Sequence, residues 1–283
     1  MAYTTLITIE TLVARLADPD WVILDCRHDL ADTEAGRRAY CAAHVPGARF
    51  VHLDEDLSGT KSGRNGRHPL PDPAAFARRI AALGVSDRSQ VVAYDASGGP
   101  YAARLWWMLR WAGHEAAAVL DGGWEAWVNG GYPVTAQIPA AAPGSFVPAW
   151  RDTLALDAAA VSKATAAGRP RLIDARSADR YRGENETLDP VAGHIPGAAS
   201  RFFKSNLRAD GRFKYPAALR EEFGALLGAL APAEVAHYCG SGVTACHNLL
   251  AMEAAGLTGS RLYPGSWSEW CSDPARPVAT GSD

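Results

Sequence analysis

The sequence has little of what marks secreted, membrane or nucleic-acid-binding proteins. Only 5 of its 283 residues are cysteines, too few and too unevenly spaced for the disulfide framework of a small secreted domain. No apolar run approaches the ~20 residues that cross a bilayer. A formal net charge of −3 offers no general attraction to nucleic acid. We therefore expect a soluble cytoplasmic protein with reduced thiols and with neither nucleic-acid nor membrane partners.

The chain carries an internal repeat. Four segments of the first half recur in the same order in the second half, at offsets between 143 and 150 residues. The pairs are VILDCR (22–27) with RLIDAR (171–176), AHVPGA (43–48) with GHIPGA (193–198), VVAYDASGG (91–99) with VAHYCGSGV (235–243), and LDGGWEAW (120–127) with LYPGSWSEW (262–270). Such a long period indicates a duplicated domain rather than a solenoid.

Each copy alternates short apolar strands with helical segments. This order predicts an α/β fold of two tandem domains, each a parallel sheet with helices on both faces. We expect residues 1–135 to form the first domain and residues 153–283 the second. The stretch 136–152, rich in proline and alanine and without periodicity, is the predicted linker.

The most informative stretch is AHYCGSGVTACHN (236–248). Cys239 follows a short predicted strand and precedes a predicted helix, with Gly240 and Gly242 in the turn between them. Glycines allow backbone N–H groups to approach a ligand closely, and a helix N-terminus favours negative charge. The pattern predicts a reactive thiolate at Cys239, surrounded by a loop that runs on through Val243 and Thr244. The first copy has Asp95 at the matching position and lacks the nucleophile.

Three other chemistries of such a loop are not supported by its surroundings. GSGVTA (240–245) fits the weak dinucleotide pattern G-x-G-x-x-A, but the acidic residue expected about 20 positions later is missing. A cysteine phosphatase needs an arginine where this chain has Ala245, to clamp phosphate oxygens. The cysteines and histidines lack the short CxxC or HxxxH spacings of zinc sites. We therefore expect neither an organic cofactor nor a metal.

Through GHIPGA, CGSGVTAC (239–246) and GSWSEW (265–270), nearly the whole chain resembles the tandem-domain rhodanese family. The resemblance implies two rhodanese-like domains, the first inactive, and transfer of a sulfane sulfur through a persulfide on Cys239. The loop is similar to that of mercaptopyruvate-type members, so the implied donor is mercaptopyruvate or thiosulfate, a small anion. The implied acceptor is a thiol, cyanide or a thioredoxin-like protein.

The resemblance also implies roles for residues outside the loop. Ser241 matches a serine that relays a proton together with a histidine and an aspartate of the first copy, here His68 and Asp54. Arg180 matches the first of two substrate-binding arginines. Asp189 or a neighbour stands where the second is expected, which predicts weak binding of a carboxylate donor.

Two alternatives stay open at this point. The chain could be a thiosulfate-specific rhodanese, or a module that binds sulfur compounds or anions without turnover. The intact Cys239 argues against the second, since a binding module does not need the thiol.

Overall fold

The computed structural model describes residues 2–140 and 142–282. It divides into two compact units, the first formed by Met1–Gly59, Leu70–Arg151 and Ala209–Arg212, and the second by Thr60–Pro69, Asp152–Arg208 and Phe213–Asp283. Residues 1, 141 and 283, at the ends of the predicted domains and inside the predicted linker, lie outside the described residues.

The division differs from the predicted boundaries in three places, one of which is that residues 209–212 of the second copy belong to the first unit. Residues 60–69 lie in the sequence of the first copy but belong to the second unit. Most of the predicted linker, 136–152, packs against the first unit and is not a free connection between two domains. There Phe146 is buried and the Ala149 N–H donates to the Ala112 carbonyl at 2.9 Å. Hydrophobic burial and backbone hydrogen bonds thus hold a segment that lacks helical or strand periodicity.

The first unit is built on a five-stranded parallel sheet in the order β1-β5-β4-β2-β3. Its strands are β1 (Leu6–Ile7), β2 (Trp21–Asp25), β3 (Arg49–Phe50), β4 (Gln90–Tyr94) and β5 (Ala117–Leu120). Its helices are α1 (Ile9–Val13), α2 (Ala35–Ala42), α3 (Leu53–Asp56), α4 (Pro73–Ala82), α5 (Pro100–Trp111) and α6 (Gly123–Asn129). Every residue of the central strand β4 is buried, as continuous apolar runs of parallel sheets require.

The second unit contains a four-stranded parallel sheet in the order β7-β6-β8-β9. Its strands are β6 (Arg171–Asp174), β7 (Ala199–Ser200), β8 (Val235–Tyr238) and β9 (Arg261–Leu262). Its helices are α7 (Ala158–Ala167), α8 (Ala178–Arg182), α9 (Pro216–Leu227), α10 (Thr244–Ala254) and α11 (Ser266–Trp270). Among the described residues, the second unit has no strand equivalent to β1 of the first unit. An isolated bridge between Ala155 and Leu262 lies beside β9 instead.

An Asp-X-Arg motif occurs in both copies, at residues 25–27 and 174–176, and in the second unit it connects three parts of the structure. Arg176 donates to Asp174 at the end of β6 and to the Gly193 carbonyl, both at 2.7 Å. Its guanidinium also lies 4.9 Å from the ring of Trp267. The motif therefore has a structural role, because it joins β6 to the turn that contains His-Ile-Pro-Gly (194–197) and to α11.

Within the described residues, no helix combines the length and apolar character needed to cross a bilayer.

Candidate active site

Cys239 lies at the carboxyl end of β8, one turn before α10 begins. The residue is almost fully buried, and the Gly242 N–H points at its Sγ at 3.1 Å. Gly242 has φ +77°, and a methyl group placed on it would lie 2.3 Å from the Pro264 carbonyl oxygen. Only glycine fits both demands, so the turn keeps an N–H at the sulfur. Val243 precedes α10 as its cap and Thr244 is its first residue, as predicted for the helix start.

Backbone N–H groups at the N-terminus of α11 donate hydrogen bonds to the loop that contains Cys239. The Trp267 and Ser268 N–H groups donate to the carbonyls of Cys239 and Gly240, each at 2.9 Å. The Cys239 N–H donates to Ser266 Oγ at 3.1 Å, and Ser266 itself has φ +55°. A left-handed serine is costly, and here the strained residue supports the loop that carries Cys239.

Segment 60–69 packs against the same helix. The Arg67 N–H donates to Ser268 Oγ at 3.0 Å. Beside it, Gly66 approaches so closely that a methyl group on it would lie 2.7 Å from the Gly265 carbonyl oxygen. This places His68 Nδ1 2.8 Å from Ser241 Oγ, and both side chains are buried. Three of the four predicted catalytic residues, Cys239, Ser241 and His68, thus meet in one loop cluster of the second unit.

The fourth predicted catalytic residue, Asp54, belongs to the first unit. It lies in the first turn of α3, where its N–H donates to His52 Nδ1 at 3.1 Å. Its Oδ2 lies 3.9 Å from His28 Nε2. The proposed relay role of Asp54 stays a prediction.

Two guanidinium groups lie over Gly240. A methyl group placed on this glycine would be 2.7 Å from Arg67 Nη2 and 3.6 Å from both Nη1 and Nη2 of Arg180. The sequence predicted a cation at Arg180 but missed Arg67. The feature of the sequence that could have identified Arg67 was its position directly before His68 in GRHPLP (66–71).

Buried carboxylates hold these arginines. Arg180 Nη2 lies 2.8 Å from both carboxylate oxygens of Glu186 and 3.4 Å from Asp189. Arg67 pairs with Asp189 through Nη1. The result is an alternating chain of charges that runs from the sheet to the loop: Asp174, Arg176, Glu186, Arg180, Asp189 and Arg67. Burial would raise the pKa of Glu186, but a backbone N–H and the two neighbouring guanidiniums outweigh it, so this pKa lies below its ordinary value.

The matching turn of the first unit is filled by a carboxylate. Asp95 Oδ1 accepts from the N–H groups of Ser97 at 2.8 Å and Gly99 at 2.9 Å. Its Oδ2 accepts from those of Tyr101 at 2.8 Å and Ala102 at 3.0 Å. Burial raises the pKa of Asp95 despite these four donors. This turn is an anion-binding nest, and the second unit presents Cys239 in the same position.

The other buried thiols are Cys26, Cys246 and Cys271. Burial raises the pKa of Cys26 well above its ordinary value. Burial and the charge of Asp189 raise the pKa of Cys271 to about 11. The Cys246 thiol is buried and donates to the Gly242 carbonyl at 3.3 Å. A thiol must ionise to attack, so the raised pKa values of Cys26 and Cys271 argue against a nucleophilic role for these two cysteines.

Two segments of the chain, residues 8–130 and 157–273, match the rhodanese-like domain family. The chain belongs to the rhodanese family. This rhodanese is 48% identical over 283 residues to a probable 3-mercaptopyruvate sulfurtransferase of Pseudomonas aeruginosa, covering 99% of this chain and 100% of that one. It is 34% identical over 270 residues to the thiosulfate sulfurtransferase of Bos taurus, covering 92% of this chain and 88% of that one.

A solved structure supports the same fold. The rhodanese superposes on a 3-mercaptopyruvate sulfotransferase of Escherichia coli with a TM-score of 0.82 at 29% identity, covering 94% of this chain and 99% of that one. The predicted architecture of two tandem rhodanese-like domains with parallel sheets is confirmed.

Proposed function

We propose that this rhodanese is a sulfurtransferase in which Cys239 accepts a sulfane sulfur from mercaptopyruvate or thiosulfate and passes it to a thiol or cyanide. The observation that carries the proposal is the Gly242 N–H at 3.1 Å from the Cys239 sulfur, in a turn whose counterpart holds a carboxylate on four N–H groups. A turn built for an anion suits both a thiolate and the outer sulfur anion of a persulfide.

The chemistry proceeds in two displacements. The Cys239 thiolate attacks the sulfur of mercaptopyruvate, and the carbon–sulfur bond breaks. The electron pair of that bond stays on carbon and gives the enolate of pyruvate, which then takes a proton. With thiosulfate, the sulfur–sulfur bond breaks and sulfite leaves with the pair. An acceptor thiolate or cyanide then attacks the outer sulfur of the persulfide and restores the Cys239 thiolate.

Ser241 and His68 supply the proton that the enolate needs. The Ser241 hydroxyl lies 2.8 Å from His68 Nδ1, so a proton can pass along this hydrogen bond to the leaving carbon. Arg180, next to Gly240, binds the carboxylate or sulfonate of the donor. Mercaptopyruvate is the favoured donor, since only its leaving group requires a proton on carbon.

The acceptor and the compartment belong to the proposal as well. All five cysteines are free thiols, which fits a reducing cytoplasm. A small thiol, cyanide or a thioredoxin-like protein serves as acceptor, and comparing rates with each acceptor in turn tests this choice.

Persulfide formation tests the central claim. Incubation with either donor should add the mass of one sulfur atom to the Cys239 peptide, and cyanide should remove it. Cys239→Ser should add none, because the covalent step has no other nucleophile, whereas the matched control Cys271→Ser should behave like the wild type. Peptide mass spectrometry distinguishes the cases. A persulfide on another cysteine would contradict the assignment, and donor binding without any persulfide would favour a non-catalytic binding module.

A further inference from the structure

We propose that Arg67 is a second anion-binding residue of this site and supplies the guanidinium that position 189 lacks. The inference rests on the proposed function for the identity of the donor. It concerns a residue from a distant part of the sequence, which segment 60–69 brings to the cysteine loop.

The two ends of the Arg67 guanidinium have different surroundings. Nη1 contacts Asp189, while Nη2 lies 2.7 Å from the point that a methyl group on Gly240 would occupy. The Asp189 side chain is only 3% exposed and the Arg67 side chain 30%, so the carboxylate is the buried anchor and the arginine is the accessible partner. One nitrogen is therefore held, and the other faces the loop next to Cys239.

Arg180 approaches the same point from a second element. Its Nη1 and Nη2 lie 3.6 Å from the methyl position on Gly240, and Glu186 holds the guanidinium through Nε and Nη2. Two guanidiniums that converge on one glycine form a site for a small oxyanion, since two of its oxygens can each accept from a different arginine. The donor class that fits is a short thiol or sulfane compound with a carboxylate or sulfonate near the transferred sulfur.

This arrangement gives Asp189 a different role from the one that the sequence predicts. From the sequence, an acidic residue in place of a substrate arginine predicts weak binding of the donor. In the structure Asp189 is a positioning residue, because its carboxylate orients Arg67 over the loop. The second positive charge near the donor thus comes from segment 60–69 instead of from position 189.

Alkylation of Cys239 measures anion recognition without sulfur transfer. The thiolate forms a carbon–sulfur bond with iodoacetate or iodoacetamide and iodide leaves, and only the first reagent carries a carboxylate. We expect Arg67→Met to lower the iodoacetate-to-iodoacetamide rate ratio at the Cys239 peptide about tenfold, the low end for one charge-assisted hydrogen bond. Arg67→Lys, which keeps the charge, should lower the ratio less. The Michaelis constant for mercaptopyruvate should rise with Arg67→Met while kcat changes little.

Arg64→Ala is the matched control, since Arg64 is an exposed arginine of the same segment. It should leave the rate ratio unchanged. If Arg67→Met slows both reagents equally, or changes neither rate, Arg67 only holds segment 60–69 and the inference is wrong. If the wild type forms no persulfide but Arg67→Met still lowers the ratio, the proposed function fails while the anion-binding role of Arg67 stands.

Discussion

At the level of single residues, the proposed role of the hydrogen bond between Ser241 and His68 differs between the two donors. The bond is 2.8 Å long, and both side chains are buried. The enolate that leaves mercaptopyruvate must be protonated on carbon, whereas sulfite leaves thiosulfate as a stable anion. In the proposed mechanism the buried serine–histidine pair therefore assists sulfur transfer from mercaptopyruvate and not from thiosulfate.

We expect Ser241→Ala to lower kcat/KM for mercaptopyruvate by about a hundredfold, the low end for a general acid, and to change the value for thiosulfate less than about threefold. Steady-state rates with both donors check this. Ser97→Ala is the matched control, because Ser97 occupies the corresponding place in the turn of the first unit. Equal losses for both donors would show that Ser241 only shapes the loop.

At the level of elements, the turn between β8 and α10 depends on its contact with the chain just before α11. Gly242 lies against the Pro264 carbonyl, and the first N–H groups of α11 bind the carbonyls on the other side of the turn. The N–H that faces the Cys239 sulfur is held by this packing. A change of backbone at Gly242 therefore acts directly on the surroundings of the Cys239 sulfur.

Gly242→Ala should destabilise the protein by about 2–3 kcal/mol and abolish persulfide formation, since the added methyl meets a carbonyl oxygen in a left-handed backbone. Urea unfolding and peptide mass spectrometry measure the two effects. Gly197→Ala offers a close control, because Gly197 has φ +77° as well but nothing within 4 Å of the added methyl. It should cost only about 1 kcal/mol and keep activity. Equal effects of the two substitutions would rule out the contact with Pro264 as the cause.

At the level of the whole molecule, acid stability depends on histidines that fold in the neutral form. His237 lies in β8, completely buried, with Nε2 3.1 Å from Met252 Sδ. Burial, with a smaller contribution from Arg201, lowers its pKa to about 3. The unfolded chain takes up this proton near pH 6.5, so it binds more protons than the folded chain below that pH.

The free energy of unfolding should therefore fall as the pH drops from about 6.5 towards 3, by about 1.4 kcal/mol per pH unit from this group alone. His237→Gln, which cannot titrate, should show a shallower pH dependence, even if it is less stable at neutral pH. Urea unfolding of both proteins between pH 7 and about pH 5 compares the slopes. Identical slopes would mean that His237 is protonated in the folded state or exposed to solvent.

The repeat, the fold and the position of Cys239 could be predicted from the sequence because each depends on local patterns. Short apolar runs specify buried parallel strands, and a glycine-bracketed cysteine between a strand and a helix specifies an anion-binding turn. The equivalence of the two copies also identifies Asp95 as the residue in place of a nucleophile.

Only the tertiary structure revealed Arg67 at the site, whereas the resemblance had already pointed to Ser241, His68 and Arg180. Segment 60–69 has no helical or strand periodicity, yet its packing on α11 brings His68 to Ser241 and Arg67 to Gly240. Arg67 and Asp189 are 122 residues apart, and the charge of each is satisfied by the other. Ion pairs across such separations leave no periodic trace in a sequence, because their geometry depends on how whole elements pack. Cys239 and Arg180 could thus be found by reading along the chain, whereas the place of Arg67 beside them depends on contacts that form only when the chain folds.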